Sequence, residues 1–95
     1  MADYQITPKA LADLDEVWSY IAQHNTSAAD QMIDALIQRF SLLGKNPEMG
    51  QSREDLAPNL RTFSVRSYVI YFQKSLVTVE IVRVIHGARQ SEPLF

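Results

Sequence analysis

The sequence contains no cysteine. Disulfides, thiolate metal sites and a cysteine nucleophile are therefore excluded. Glycine is scarce, at three residues in 95, and no glycine-rich phosphate loop can be built from them. The two histidines, His24 and His86, are far apart and neither sits in a His-x-x-x-His pattern, so no metal-ligand spacing exists. No apolar run approaches the roughly 18 residues that a membrane span needs. The opening, Met1-Ala2-Asp3-Tyr4-Gln5, has neither a basic stretch nor an apolar one. No signal peptide is read there, and the expected address is the cytoplasm. Repeats, linkers and low-complexity segments are also lacking.

What is present suits a single domain over residues 1–95. A hydrophobic content of 46% is enough for one core, and a charged content of 21% argues against disorder. The net charge of −2 hides a split. Residues 1–55 carry Lys9, Arg39, Lys45 and Arg53 against nine acids, a balance of −5. Residues 56–95 carry Arg61, Arg66, Lys74, Arg83 and Arg89 against Glu80 and Glu92, a balance of +3. Such a split points to an anionic partner on the basic side, or reflects chance placement of solvated charges.

The hydrophobic pattern changes period along the chain. Residues 3–7 alternate, with Tyr4 and Ile6 on one side, as in a short strand. Thr7-Pro8 then reads as an N-cap followed by proline at the first helical position. Leu11, Leu14, Trp18, Ile21 and Ala22 form the expected apolar stripe of a first helix, ending near His24-Asn25. Asp13, Asp15 and Glu16 are placed on its solvated side. Ser27 is the expected cap of a second helix, with Asp30 completing an approximate capping box. Its stripe runs Ala29, Met32, Ile33, Leu36, Ile37, Phe40 and Leu43. Gly44 is expected to take the left-handed cap, with Asn46-Pro47 ending the helix. The short joint makes the two helices an antiparallel hairpin.

Residues 47–58 are polar and read as an irregular connection. Three strands follow, over 60–65, 68–72 and 76–86, with a tight Lys74-Ser75 connection that favours antiparallel pairing. In the last, Val77, Val79, Ile81 and Ile85 fall on one face and Val82 and Val84 on the other. The tail 87–95 is expected to be loose. The fold class is thus α+β: strand, two helices, three strands, with a small antiparallel sheet covered on one face by the helical hairpin. The second face would be left largely uncovered, with Val82 and Val84 as a binding surface.

One constellation of chemical interest remains. Arg61, Arg66, Arg83, His86 and Arg89 could be drawn toward one sheet edge. Arginine forks suit phosphate or carboxylate, and histidine can move protons near neutral pH. The plain alternative is surface charge guarding sheet edges. Arg83 falls in line with buried valines and isoleucines, so it should be partly buried and paired.

These segments together resemble a known family. Tyr4-Gln5-Ile6-Thr7-Pro8-Lys9-Ala10, Asp13-Leu14 and Val17-Trp18-Ser19-Tyr20-Ile21 resemble the opening of ParE-type toxins. So do Leu42-Leu43 with Asn46-Pro47 and Gly50, Leu60-Arg61 leading to Tyr68-Val69-Ile70-Tyr71-Phe72, and Ile81-Val82-Arg83-Val84-Ile85-His86-Gly87-Ala88-Arg89. The resemblance covers nearly the whole chain and implies the ParE/RelE superfamily of bacterial type II toxin–antitoxin and plasmid-stabilisation systems. It implies a toxin in a hetero-oligomer with a cognate ParD-like antitoxin, with no cofactor, no metal, no membrane and no sequence-specific DNA contact of its own. ParE-type toxins poison DNA gyrase, whereas RelE-type toxins cleave mRNA in the ribosome. The RelE-type alternative would draw on Arg61, Arg66, Arg83 and His86 for catalysis. The tail 88–95 lacks a tyrosine, and no lysine lies between Lys45 and Lys74, which favours the gyrase reading. Arg61, Arg66, Val82, Arg83, Val84, His86 and Arg89 are the expected partner-binding residues. A scaffold that only binds its antitoxin is the third reading.

Overall fold

The computed structural model describes residues 3–89. Strand β1 (Tyr4–Ile6) leads into α1 (Pro8–Ala22) and α2 (Thr26–Lys45), then β2 (Gln51–Ser52), β3 (Leu60–Val65), β4 (Tyr68–Lys74) and β5 (Val79–His86). Short 3-10 turns lie at Pro47–Met49 and Gly87–Arg89. Of the tail 87–95, expected to be loose, Gly87–Arg89 form one of these turns; the rest lies outside the described residues, as does the side chain of Arg89.

The helix starts follow from side-chain caps. Thr7 accepts from Ala10 N at 3.1 Å, and Pro8 supplies the preset φ of the first turn. The cap of α2 is Asn25 rather than the expected Ser27: its Oδ1 accepts from Ala28 N at 3.0 Å. Gly44 also departs from expectation. It lies within α2, no glycine has positive φ, and Asn46 forms the cap. Its lack of a side chain serves close approach instead, since a Cβ there would collide with the Asp3 carbonyl.

The sheet runs β1-β5-β4-β3-β2. Three pairings are antiparallel, but β1 pairs parallel with β5, Tyr4 opposite Val79 and Ile6 opposite Ile81. The sheet is therefore mixed rather than purely antiparallel. A parallel pair needs a long crossover, and everything from α1 to β4 forms it. The two-residue β2 adds an edge to β3 where an irregular connection was expected.

One extra residue in β5 resets its faces. Tyr71 is opposite Arg83 and Phe72 opposite Ile81, so Val82 has no partner in β4. Val79, Ile81 and Val84 all join the core under the helices, while Ile85 turns to the opposite face. The expected assignment of Val82 and Val84 to an open face is thus corrected. Val84 is buried, and Val82 is half-buried with its carbonyl accepting from Thr7 Oγ1 at 3.1 Å. The opposite face is not bare either: Leu60, Val69, Tyr71 and Ile85 are buried there, and Ala57 of the 53–59 connection packs on them.

The first helix is rotated from its expected orientation. Ala10, Asp13, Leu14 and Val17 are its buried residues, whereas Leu11 and Trp18 are exposed. Trp18 Nε1 donates to Asp30 of α2 at 2.8 Å, which ties the hairpin together from outside. Rotation brings small side chains against β5 and carries Asp13 inward, contrary to the solvated position expected for it.

Candidate partner-binding site

β1 ends at Ile6, so the outer edge of β5 loses its neighbour beyond Ile81. Asp13 of α1 takes over there. Its carboxylate accepts from Val84 N at 2.9 Å, from Arg83 Nε at 2.8 Å and from Arg83 Nη2 at 3.0 Å. A backbone donor on a buried strand edge must be satisfied, and a carboxylate does so strongly. The Asp13 hydrogen bonds push the Arg83 guanidinium up from its ordinary range, against the opposing pull of burial. Arg83 is thus partly buried and paired, a position set by the bulge at Val82 rather than by simple alternation.

The other expected site residues fall at two ends of the sheet. Arg61 lies at the start of β3, where its Nη1 donates to the Gly50 carbonyl at 2.7 Å. Arg66 lies in the β3–β4 turn, five residues and roughly 16 Å further along. His86, opposite Tyr68 in the ladder, is at the Arg66 end. Its ring meets Tyr68 edge-on with centroids 5.3 Å apart, and its Nδ1 accepts from Ala88 N at 3.1 Å. Arg66 and His86 border one hollow together with Tyr20, Ile21, Met32 and Tyr68. Arg61 is not part of it, and Arg83 is engaged by Asp13. The four residues proposed for catalysis do not converge.

Arg66 carries φ 55, in the left-handed region. Such a conformation is uncommon for a side chain of this kind and costs on the order of 1 kcal/mol or more. Arg66 stands at the rim of the hollow lined also by Tyr20, Tyr68 and His86.

Beside that hollow a larger cleft of ≈ 570 Å³ opens between α1 and the adjoining ends of β4 and β5. Val17, Tyr68 and Val84 are buried in its wall, and Asp15, Glu16 and Tyr20 are exposed at its rim. Burial pushes the Tyr68 phenol up. The sequence does carry a signal for this cleft. Ala10, Asp13, Leu14 and Val17 keep helical spacing on one face, and Asp13 interrupts it as a lone acid. Among the described residues no three His, Cys, Asp or Glu side chains cluster as a metal site. None of the described helices is long and apolar enough to cross a membrane.

Residues 4–91 match the model of the family described as ParE toxin of type II toxin-antitoxin system, parDE. The chain belongs to the ParE toxin family. It is 32% identical over 87 residues to Toxin ParE1 of Caulobacter vibrioides, covering 90% of each chain. It is 32% identical over 76 residues to Toxin ParE3 of the same organism, covering 79% of this chain and 76% of that one. The fold is similar to a solved structure titled as a chromosomal ParDE TA system from P. aeruginosa. That match has a TM-score of 0.75 at 21% identity and covers 90% of this chain and 96% of the other. The chain is therefore a toxin of the type II class, and membership of such a family implies an antitoxin partner.

Proposed function

We propose that this chain inhibits DNA gyrase by binding it, in the cytoplasm, and that a ParD-like antitoxin holds it inactive. The observation that carries the binding reading is the disposition of the cations. Arg83 is tied to Asp13 and Arg61 to the Gly50 carbonyl, so two of the four groups a ribonuclease would need are engaged within the fold. Arg66 and His86 share one surface with exposed Tyr20. Exposed aromatic and arginine side chains beside a cleft are the composition of a protein-binding hot spot. Within this reading Arg66 and His86 contact a partner, Arg83 acts through its tie to α1, and Val82 and Val84 contribute packing.

Controlled induction in bacteria tests it. Viability is expected to fall on induction and to recover when the antitoxin encoded beside it is co-expressed. Replication is expected to stall while mRNA stays intact by primer extension. Codon-positioned mRNA cuts that vanish in His86→Ala would transfer the toxin to the ribonuclease class. Normal growth with abundant folded protein would leave only a scaffold.

A further inference from the structure

The cleft beside α1 has a chemistry that the basic half of the chain does not explain. Asp13 is engaged by Arg83, whose guanidinium also feels the charge of Glu16. Neither Asp15 nor Glu16 forms a salt bridge among the described residues. Tyr68 is only 8% exposed, lines the cleft, and its hydroxyl has no hydrogen-bond partner among the described residues. The hydroxyl itself is reached by solvent, and as a phenol it can both donate to and accept from an occupant of the cleft. Tyr20 stands at the mouth with 63% of its surface exposed. Neither Arg66, which borders the adjoining hollow, nor Arg83, which is held by Asp13, lines this cleft.

An apolar wall beneath an acidic and aromatic rim matches one kind of side chain. Arginine and lysine carry an aliphatic stem that packs on apolar surface and a charged head that seeks carboxylates. Their heads also favour aromatic faces, and their N–H groups can donate to a phenol oxygen. We propose that this cleft is a subsite for one arginine or lysine side chain of a partner peptide. The stem lies along Val17 and Val84, and the head sits between Asp15, Glu16 and the two tyrosines. The occupant is a basic residue of the antitoxin segment, so the inference rests on the antitoxin reading and deepens it. The charge complementarity runs opposite to the one that the arginine-rich half suggests. A second copy of this chain is a poorer occupant: its net charge is −2, and a stable interface needs about 800 Å² per partner, far beyond one cleft.

The test is calorimetric titration of the purified chain with the antitoxin encoded beside it. Asp15 and Glu16 are exposed, so D15N/E16Q should leave the unfolding midpoint unchanged. Its Kd is expected to rise about tenfold, with a flatter dependence on salt between about 50 and 300 mM. Tyr20→Ala is expected to raise Kd severalfold while keeping the salt slope. Replacing the antitoxin's docked arginine or lysine by glutamine should cause the same loss, with no further loss in D15N/E16Q. Asp34→Asn on α2 serves as the control and should bind as the unaltered chain does. If D15N/E16Q binds within about twofold of the unaltered chain, the subsite is wrong while the antitoxin reading stands. A concentration-dependent dimer that D15N/E16Q abolishes would assign the cleft to a second copy and overturn it. No complex even with the unaltered chain would overturn both.

Discussion

Replacing Asp13 with alanine would remove the tie that holds α1 to the free edge of β5. Three donors converge on this carboxylate, Arg83 Nε and Nη2 and Val84 N, at 2.8, 3.0 and 2.9 Å. The Asp13 and Arg83 side chains are 5% and 13% exposed. Breaking a fully buried ion pair by deleting one partner costs about 3–5 kcal/mol. Residual water access to Arg83 lowers that figure, while the orphaned Val84 N–H adds about 1–3 kcal/mol. The two corrections roughly offset, and the expected loss is about 3–5 kcal/mol. A domain of this size has on the order of 5–14 kcal/mol to lose from, and each 1 kcal/mol moves its Tm by roughly 4–8 °C. A fall in Tm of about 10 °C or more should result. Urea unfolding gives the free energy directly and should show a lower midpoint at unchanged slope. Asp13→Asn keeps the shape, and its carbonyl can still serve Val84 N, so its loss should be smaller. A cycle with Arg83→Ala should return a coupling of at least about 1 kcal/mol. If Asp13→Ala unfolds within about 0.5 kcal/mol of the unaltered chain, the tie contributes nothing net to holding α1 on the sheet.

Three further expectations concern the fold. Arg66→Gly should raise stability by up to about 1 kcal/mol in chemical denaturation, because glycine accepts a φ of 55 without steric cost. The same change should weaken partner binding. Gly44→Ala should destabilise by about 1–3 kcal/mol through the collision with Asp3, overriding the gain of about 1 kcal/mol that helix propensity alone would bring. The phenols of Tyr68 and Tyr71 are both pushed up by burial. The fold therefore favours their protonated forms. That contribution is fully present below pH of about 10 and is lost as pH rises through the folded-state values. Thermal unfolding against pH, followed with tyrosinate absorbance, should show late ionisation of these two rings coincident with loss of structure.

The order of elements was legible because each carries a local signal. Thr7-Pro8 opens α1, Asn46-Pro47 closes α2, and the alternation of 60–65 marks β3. Details set by long-range contacts were not. The parallel pairing of β1 with β5 joins residues some seventy positions apart, which no local pattern encodes. The bulge at Val82 leaves no mark in a run of β-branched residues, yet it moves Val84 from the expected open face into the core. Trp18 and Leu11 drew the apolar stripe of α1 outward because size outweighs position in such a reading, while Ala10 and Val17 do the packing. Asp13 looked like one of three solvated acids. Only the end of β1 at Ile6 shows why a carboxylate must turn inward there. The arginines were legible as a group but not as individuals, since pairing with Asp13 or Gly50 depends on which end of the sheet each occupies.

Gyrase binding is the proposed action of this toxin. Purified gyrase assayed for supercoiling with the purified chain tests it most directly. Supercoiling is expected to fall and cleavage complexes to appear as the chain is added, and both effects to vanish when the antitoxin is mixed in first. Unchanged supercoiling and no cleavage complexes, from folded protein that still binds its antitoxin, would contradict it.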